Sequence, residues 1–293
     1  MAGAAASHLQ EVLTGPGTAG AVVAVHRRSL LVDVGGSSVT LLAGPGSLTP
    51  ITVSVAMPLP RCVPGDPVVA GNGRLTIGGL TVQVRRWWDS RLRPVAPDPR
   101  RLGEFSRLIS DHPPGLPPAL IAAFAAELLS GQAFPVARRL VGRGGGSTPA
   151  GDDLLCGVLA ALAAGGHQQL AARLFDAVAQ LLPTTTALSA ALLRAAGAGH
   201  AAVEALAVLR ALAPRSPRSE LAAAVSGLLA LGHTSGADLA AGLLIGLGAR
   251  GCDDDRPPAS TSAGPPPVGG GYPARPAAVG EKWCCDDDEE SEE

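Results

Sequence analysis

The feature that most constrains this chain is a change of apolar period near residues 90–100. Between residues 20 and 86, short β-branched runs at 21–25, 29–34, 39–42, 51–55, 67–70, 74–77 and 80–84 alternate with tight turns. From Arg100 onward the apolar residues recur at helical spacing, over 102–109, 119–129, 136–141, 154–164, 170–182, 188–196, 203–212, 221–231 and 239–247. Strands gathered first and helices gathered afterwards predict an α+β protein with the two kinds segregated. Gly35-Gly36, Asn72-Gly73 and Gly78-Gly79 supply hairpin turns, because Asn-Gly and Gly-Gly accept the positive φ angles of a type I′ turn. Six or seven short strands predict a small barrel or sandwich over residues 15–92. Pro94, Pro97 and Pro99 mark the boundary, the pair Trp87-Trp88 reads as domain packing, and an α-helical ligand-binding domain is expected over 99–252.

Aromatic residues make up only 3% of the chain, so its helices must approach through Ala, Gly and Leu rather than around large rings. The net charge of −2 conceals an asymmetry. Residues 253–293 carry 11 acidic side chains against Arg256, Arg275 and Lys282, a balance of −8 that leaves +6 on the rest, where every basic residue is arginine. Guanidinium forks suit carboxylates and phosphates, so a small anionic ligand is favoured. The Pro/Gly-rich and then acidic stretch 253–293 cannot offset its ordering entropy and is expected to be a disordered, solvated tail rather than a metal site with Cys284 and Cys285. No basic run with interleaved aromatics points to nucleic acid. Five cysteines without a C-x-x-C pair read as reduced thiols, and neither a signal peptide nor a membrane span is found, so the expected location is the cytoplasm.

Comparing the chain with itself aligns Gly151-Asp152-Asp153-Leu154, with Gly157, Leu159 and Leu162, on Gly236-Ala237-Asp238-Leu239, with Gly242, Leu244 and Leu247. Each is a Ser/Thr-rich turn, a glycine, an acid in the first helical turn and an apolar helix with a glycine one and a half turns in. This pseudo-repeat of glycine-turn helices predicts two helices packed through Gly157 and Gly242 with their N-termini close together. Converging N-termini offer unpaired N–H groups and positive dipole ends to an anion, and Gly144, Gly145 and Gly146 would let backbone approach it. The competing reading is capping: Thr148 before Pro149, and Ser235 with Asp238 as a capping box. Three consecutive glycines and two adjacent acids exceed what a cap needs.

Other candidates are the Thr185, Ser189 and Arg194 segment, which could give hydroxyls and a guanidinium or merely cap a helix after Pro183. His233, beside Thr234, Ser235 and Gly236, is the candidate acid/base, with a structural role as the alternative. Cys156 reads as a buried thiol. The turn from Gly44 to Pro50 echoes the Gly144 segment but joins two strands and reads as a turn.

These motifs resemble the AllH-like family, which includes a subunit of oxamate carbamoyltransferase. The resemblance rests on Gly144-Gly145-Gly146-Ser147-Thr148-Pro149-Ala150-Gly151-Asp152-Asp153, the Thr185 to Leu193 segment and Gly232-His233-Thr234-Ser235-Gly236-Ala237-Asp238. Ser147 and Ala150 depart from the family's Leu and Ser. The resemblance implies carbamoyl transfer between carbamoyl phosphate and oxamate, in either direction, within allantoin and purine breakdown, without a cofactor or metal and with partner subunits. The residues read above give Asp153, Asp238 and His233 as catalytic candidates. They give Gly144, Gly145, Gly146, Thr148, Gly151, Asp152, Thr185, Ser189, Arg194, Thr234, Ser235 and Gly236 as substrate-binding candidates. A non-catalytic anion-binding or assembly subunit is the competing class, and a metal-assisted hydrolase using Asp152, Asp153 and His233 is a third.

Overall fold

The computed structural model describes residues 1–249 apart from 131, 132 and 215, and these fall within one compact unit. The acidic tail expected at 253–293 lies outside the described residues. The front of the chain is a closed barrel of eight strands: β1 (Ala2–Ala6), β2 (Thr18–Val25), β3 (Ser29–Val34), β4 (Ser37–Ala43), β5 (Thr52–Val55), β6 (Pro67–Gly71), β7 (Arg74–Ile77) and β8 (Leu80–Trp88). Their order around the barrel is β1-β5-β4-β3-β2-β6-β7-β8. The β1–β8 and β4–β5 pairs are parallel and the others antiparallel. Gly35-Gly36, Asn72-Gly73 and Gly78-Gly79 all hold positive φ, as their hairpin turns require. Period-two alternation sends Leu30, Val32, Val39, Leu41, Val53 and Leu75 into a dry barrel core.

Strand β1 closes the barrel although its sequence, Ala-Gly-Ala-Ala-Ala, carries no strand signal of its own. It pairs with β5 on one side and β8 on the other, so tertiary pairing decides its conformation. A short 3-10 turn (Ser7–Leu9) and α1 (Gln10–Thr14) then lead into β2.

Nine further helices follow among the described residues: α2 (Pro99–Ile109), α3 (Pro118–Leu129), α4 (Ala133–Leu140), α5 (Ala150–Gly165), α6 (Gln168–Ala179), α7 (Ala187–Gly197), α8 (Val203–Ala211), α9 (Arg218–Leu229) and α10 (Ser235–Gly248). Each overlaps one of the helical-period segments. Helix α5 is buried on nearly every side and packs against α4, α6, α7, α8 and α10. Helix α7 joins the two halves: Ala191 and Ala195 enter the barrel core, while Ala190, Leu193 and Ala196 enter the helical core. The β4–β5 connection is fastened to the start of α8, because Ser47 Oγ donates to Glu204 Oε2 at 2.9 Å and Val203 N donates to Leu48 O at 3.1 Å.

Candidate functional site

Helices α5 and α10 lie side by side and run in the same direction. A Cβ on Gly157 would run into the Leu239 carbonyl oxygen, and one on Gly242 into the Leu154 carbonyl oxygen. Only glycine at both positions permits this backbone contact. It brings the two helix starts together, with the Thr148 and Ser235 hydroxyls 3.2 Å apart. Neither start is closed by a side-chain cap, so the acids in these first turns are free for other work.

The three acids, all buried, do different things. Asp152 accepts from Gly142 N at 2.8 Å through one oxygen and from the Thr185 hydroxyl through the other. It ties the loop before α5 to the turn before α7. Asp238 accepts from Gly115 N at 2.8 Å, and its second oxygen has no partner. Asp153 likewise has a partnerless buried oxygen, Oδ2. Burial pushes its carboxyl up to about 7; the Ser235 and Thr148 hydroxyls pull it down, and the neighbouring Asp238 and Asp152 charges push it further up. Burial also raises Asp238, against the Gly115 N–H and the Thr234 hydroxyl.

Asp153 forms part of the wall of a cavity of about 250 Å³ between the helical region and the barrel. Thr148 and Ser235 flank it, and Ser47, Thr49 and Pro50 of the β4–β5 connection face the same space. Cys156 also lines it, with burial, then the Asp153 and Asp152 charges, raising its thiol well above the usual range. The imidazole present is His200, in the middle of the α7–α8 connection. Its Nδ1 is hydrogen-bonded to Ser90 Oγ at 2.8 Å, and its ring lies 4.6 Å from that of His8. Burial, followed by the neighbouring His8 and Arg91 charges, lowers its pKa to about 4, although Asp89 opposes them. His200 is therefore neutral at physiological pH.

Of the residues singled out in the sequence, Thr148, Asp153 and Ser235 line this cavity, with Thr234 and Asp238 behind them. Gly151 and Gly236 lie beneath, where a Cβ would strike the Leu140 and Leu228 carbonyl oxygens respectively, so each packs a helix start against the helix before it. Thr185 is bound to Asp152, and Ser189 is buried with a partnerless hydroxyl. Gly144, Gly145 and Gly146 form an exposed loop outside the cavity wall, and His233 and Arg194 are exposed. Sequence reasoning missed His200, Ser47, Thr49 and Pro50. The echo of the Gly144 segment in Gly44 to Pro50 was the available signal for three of them; nothing local marked His200.

Among the described residues, none of the arginines behind the +6 balance lines this cavity. Arg27, Arg28 and Arg61 border one shallow concavity on the barrel, and Arg85 and Arg86 another. Among the described residues no group of three or more His, Cys, Asp or Glu side chains is placed to hold a metal ion, and no helix is long and apolar enough to cross a membrane.

Residues 140–247 match the protein family described as oxamate carbamoyltransferase subunit AllH. This is the family that the motifs resemble, and the match runs from the end of α4 into α10, so it contains both helix starts and leaves the barrel outside. No solved structure matches the chain.

Proposed function

We propose, from the match of residues 140–247 to the AllH family, that this chain is a subunit of an oxamate carbamoyltransferase-like enzyme. The observation that carries the reading is Asp153: a buried carboxyl with one unpartnered oxygen, in a cavity wall where two helix starts meet. Carbamoyl transfer joins an amide nitrogen to the carbamoyl carbon of carbamoyl phosphate, breaks the bond from that carbon to the phosphate oxygen and releases phosphate. The amide nitrogen gives up a proton in the process. A carboxyl held near 7 accepts a hydrogen bond from that N–H and takes its proton close to neutral pH. The Thr148 and Ser235 hydroxyls beside it, which bond Asp153 and each other, reach the amide or carbamoyl oxygen only by turning a proton away from one of those bonds.

The anionic ends of the reactants need other donors. The N–H groups of Gly151, Asp152 and Asp153 at α5 and of Gly236 at α10 already donate to backbone carbonyls, so these helix starts leave most of that need unmet. Among the described residues no arginine lines the cavity, and a second chain of the enzyme is the proposed source of the remaining donors. The same observation favours a second reading, in which this chain binds or assembles without turning substrate over alone.

Thermal shift on the purified full chain with oxamate, oxalurate, carbamoyl phosphate and phosphate tests the proposal. Oxamate or oxalurate should stabilise the native protein, and Asp153→Asn should abolish that stabilisation while remaining folded. A shift unchanged in Asp153→Asn would overturn the role of Asp153. Carbamoyl transfer by the chain without any partner would overturn the second reading.

A further inference from the structure

The cavity beside Asp153 is mostly apolar, with its one acidic group at Asp153. Ala160, Leu192, Ala196, Ala205, Leu231 and Leu239 make up much of its surface, and among the described residues no arginine or lysine lines it. Thr148 and Ser235 flank Asp153, while Ser47, Thr49 and His200 are neutral groups elsewhere on the wall. A carboxylate or phosphate placed here would lose its water, meet no cation and face the Asp153 carboxylate. A primary amide would not suffer this: its N–H groups meet the free Asp153 oxygen, and its carbonyl meets the neighbouring hydroxyls. At about 250 Å³ the cavity holds the volume of about eight waters, more than the amide group fills. The space left over is bounded by alanine and leucine.

From this we infer that the cavity takes an uncharged amide bearing an apolar substituent, with the amide at Asp153 and the substituent against the α7–α8 wall. This rests on the reading of Asp153 as an amide-binding group and extends it: an amide carrying hydrocarbon in place of oxamate's carboxylate fills the same cavity better than oxamate does. Neutral His200 suits such a ligand, since it adds a hydrogen-bonding group without adding charge. The barrel loop holding Ser47, Thr49 and Pro50 lies outside the family match, so part of this specificity is set by residues outside the matched segment.

The test is titration calorimetry on the full chain with acetamide, butyramide and hexanamide, and with hexanoate as the charged counterpart. Each methylene buried should tighten binding about fourfold until the cavity is full, and hexanamide should bind at least about tenfold tighter than hexanoate. Ala202→Leu, which adds bulk to the wall at the start of α8, should weaken hexanamide while sparing acetamide. Melting temperature and acetamide affinity report whether that variant has kept its fold, and Leu231→Ala, which enlarges the cavity at the turn between α9 and α10, should move the optimum to a longer chain. A flat series, or hexanoate binding as well as hexanamide, overturns the inference. If oxalurate still stabilises the protein through Asp153 in that event, the carbamoyltransferase reading stands alone.

Discussion

Asp152 and Asp153 are adjacent in sequence but about 100° apart around α5, and the two positions have opposite characters. Asp152 accepts two hydrogen bonds that hold the α5 and α7 approaches together. Asp152→Asn keeps an oxygen for Gly142 N but presents NH2 to Thr185, whose hydroxyl must turn round and accept, so losing the two bonds to a charged acceptor should cost about 1–2 kcal/mol and lower the melting temperature near neutral pH. Asp153 is raised rather than satisfied, so its contribution to stability is present below the ordinary carboxyl range and is lost as pH rises through about 7. Asp153→Asn should therefore be more stable than the native chain at pH 8 and equal to it near pH 3, the gap growing by up to roughly 1.4 kcal/mol per pH unit in between. Urea unfolding at the two pH values checks this, and a less stable Asp153→Asn at pH 8 would contradict it. His200, lowered to about 4, acts in the opposite sense: its contribution is present above 6.5 and is lost as pH falls through about 4. The aspartate pair was legible as two faces of a helix start. His200 was not, because Ser90, which orients it, lies 110 residues away.

At the scale of elements, the contact of α5 with α10 depends on glycine at two places. Gly157→Ala or Gly242→Ala puts a methyl group into a carbonyl oxygen of the opposite helix. Each should cost about 3 kcal/mol, and the pair should be less than additive because one separation of the helices relieves both. Gly145 provides the contrast, with open space around its missing Cβ and no positive φ. Gly145→Ala should leave the melting temperature unchanged within the equivalent of about 0.5 kcal/mol. If it also leaves oxalurate binding unchanged, Gly145 has no part in holding the ligand. The helices were legible because their apolar period is long and uninterrupted, and the hairpins because glycine pairs fix their turns. Strand β1 was hidden, since five small residues have no pattern until β5 and β8 lie on either side.

At the scale of the whole molecule, the barrel and the helices share α7 and are fastened through Ser47, Leu48, Val203 and Glu204. Amide exchange in β3 and α5 should report the same opening free energy and fall together in urea; separate transitions would show that the shared core does not couple the two halves. The sequence by itself determined the order of strands before helices, the hairpin turns and the pairing of two glycine-bearing helices, because period, turn chemistry and side-chain size act over a few residues. The tertiary structure alone decided the cavity. Its wall draws on the β4–β5 connection, the end of α7, and the turns before α5 and α10, which packing brings together from more than 150 positions apart. It also decided where charge would matter. The described arginines behind the +6 balance stayed away from the cavity wall, while burial, a property no local sequence carries, shifted one aspartate and one histidine in it.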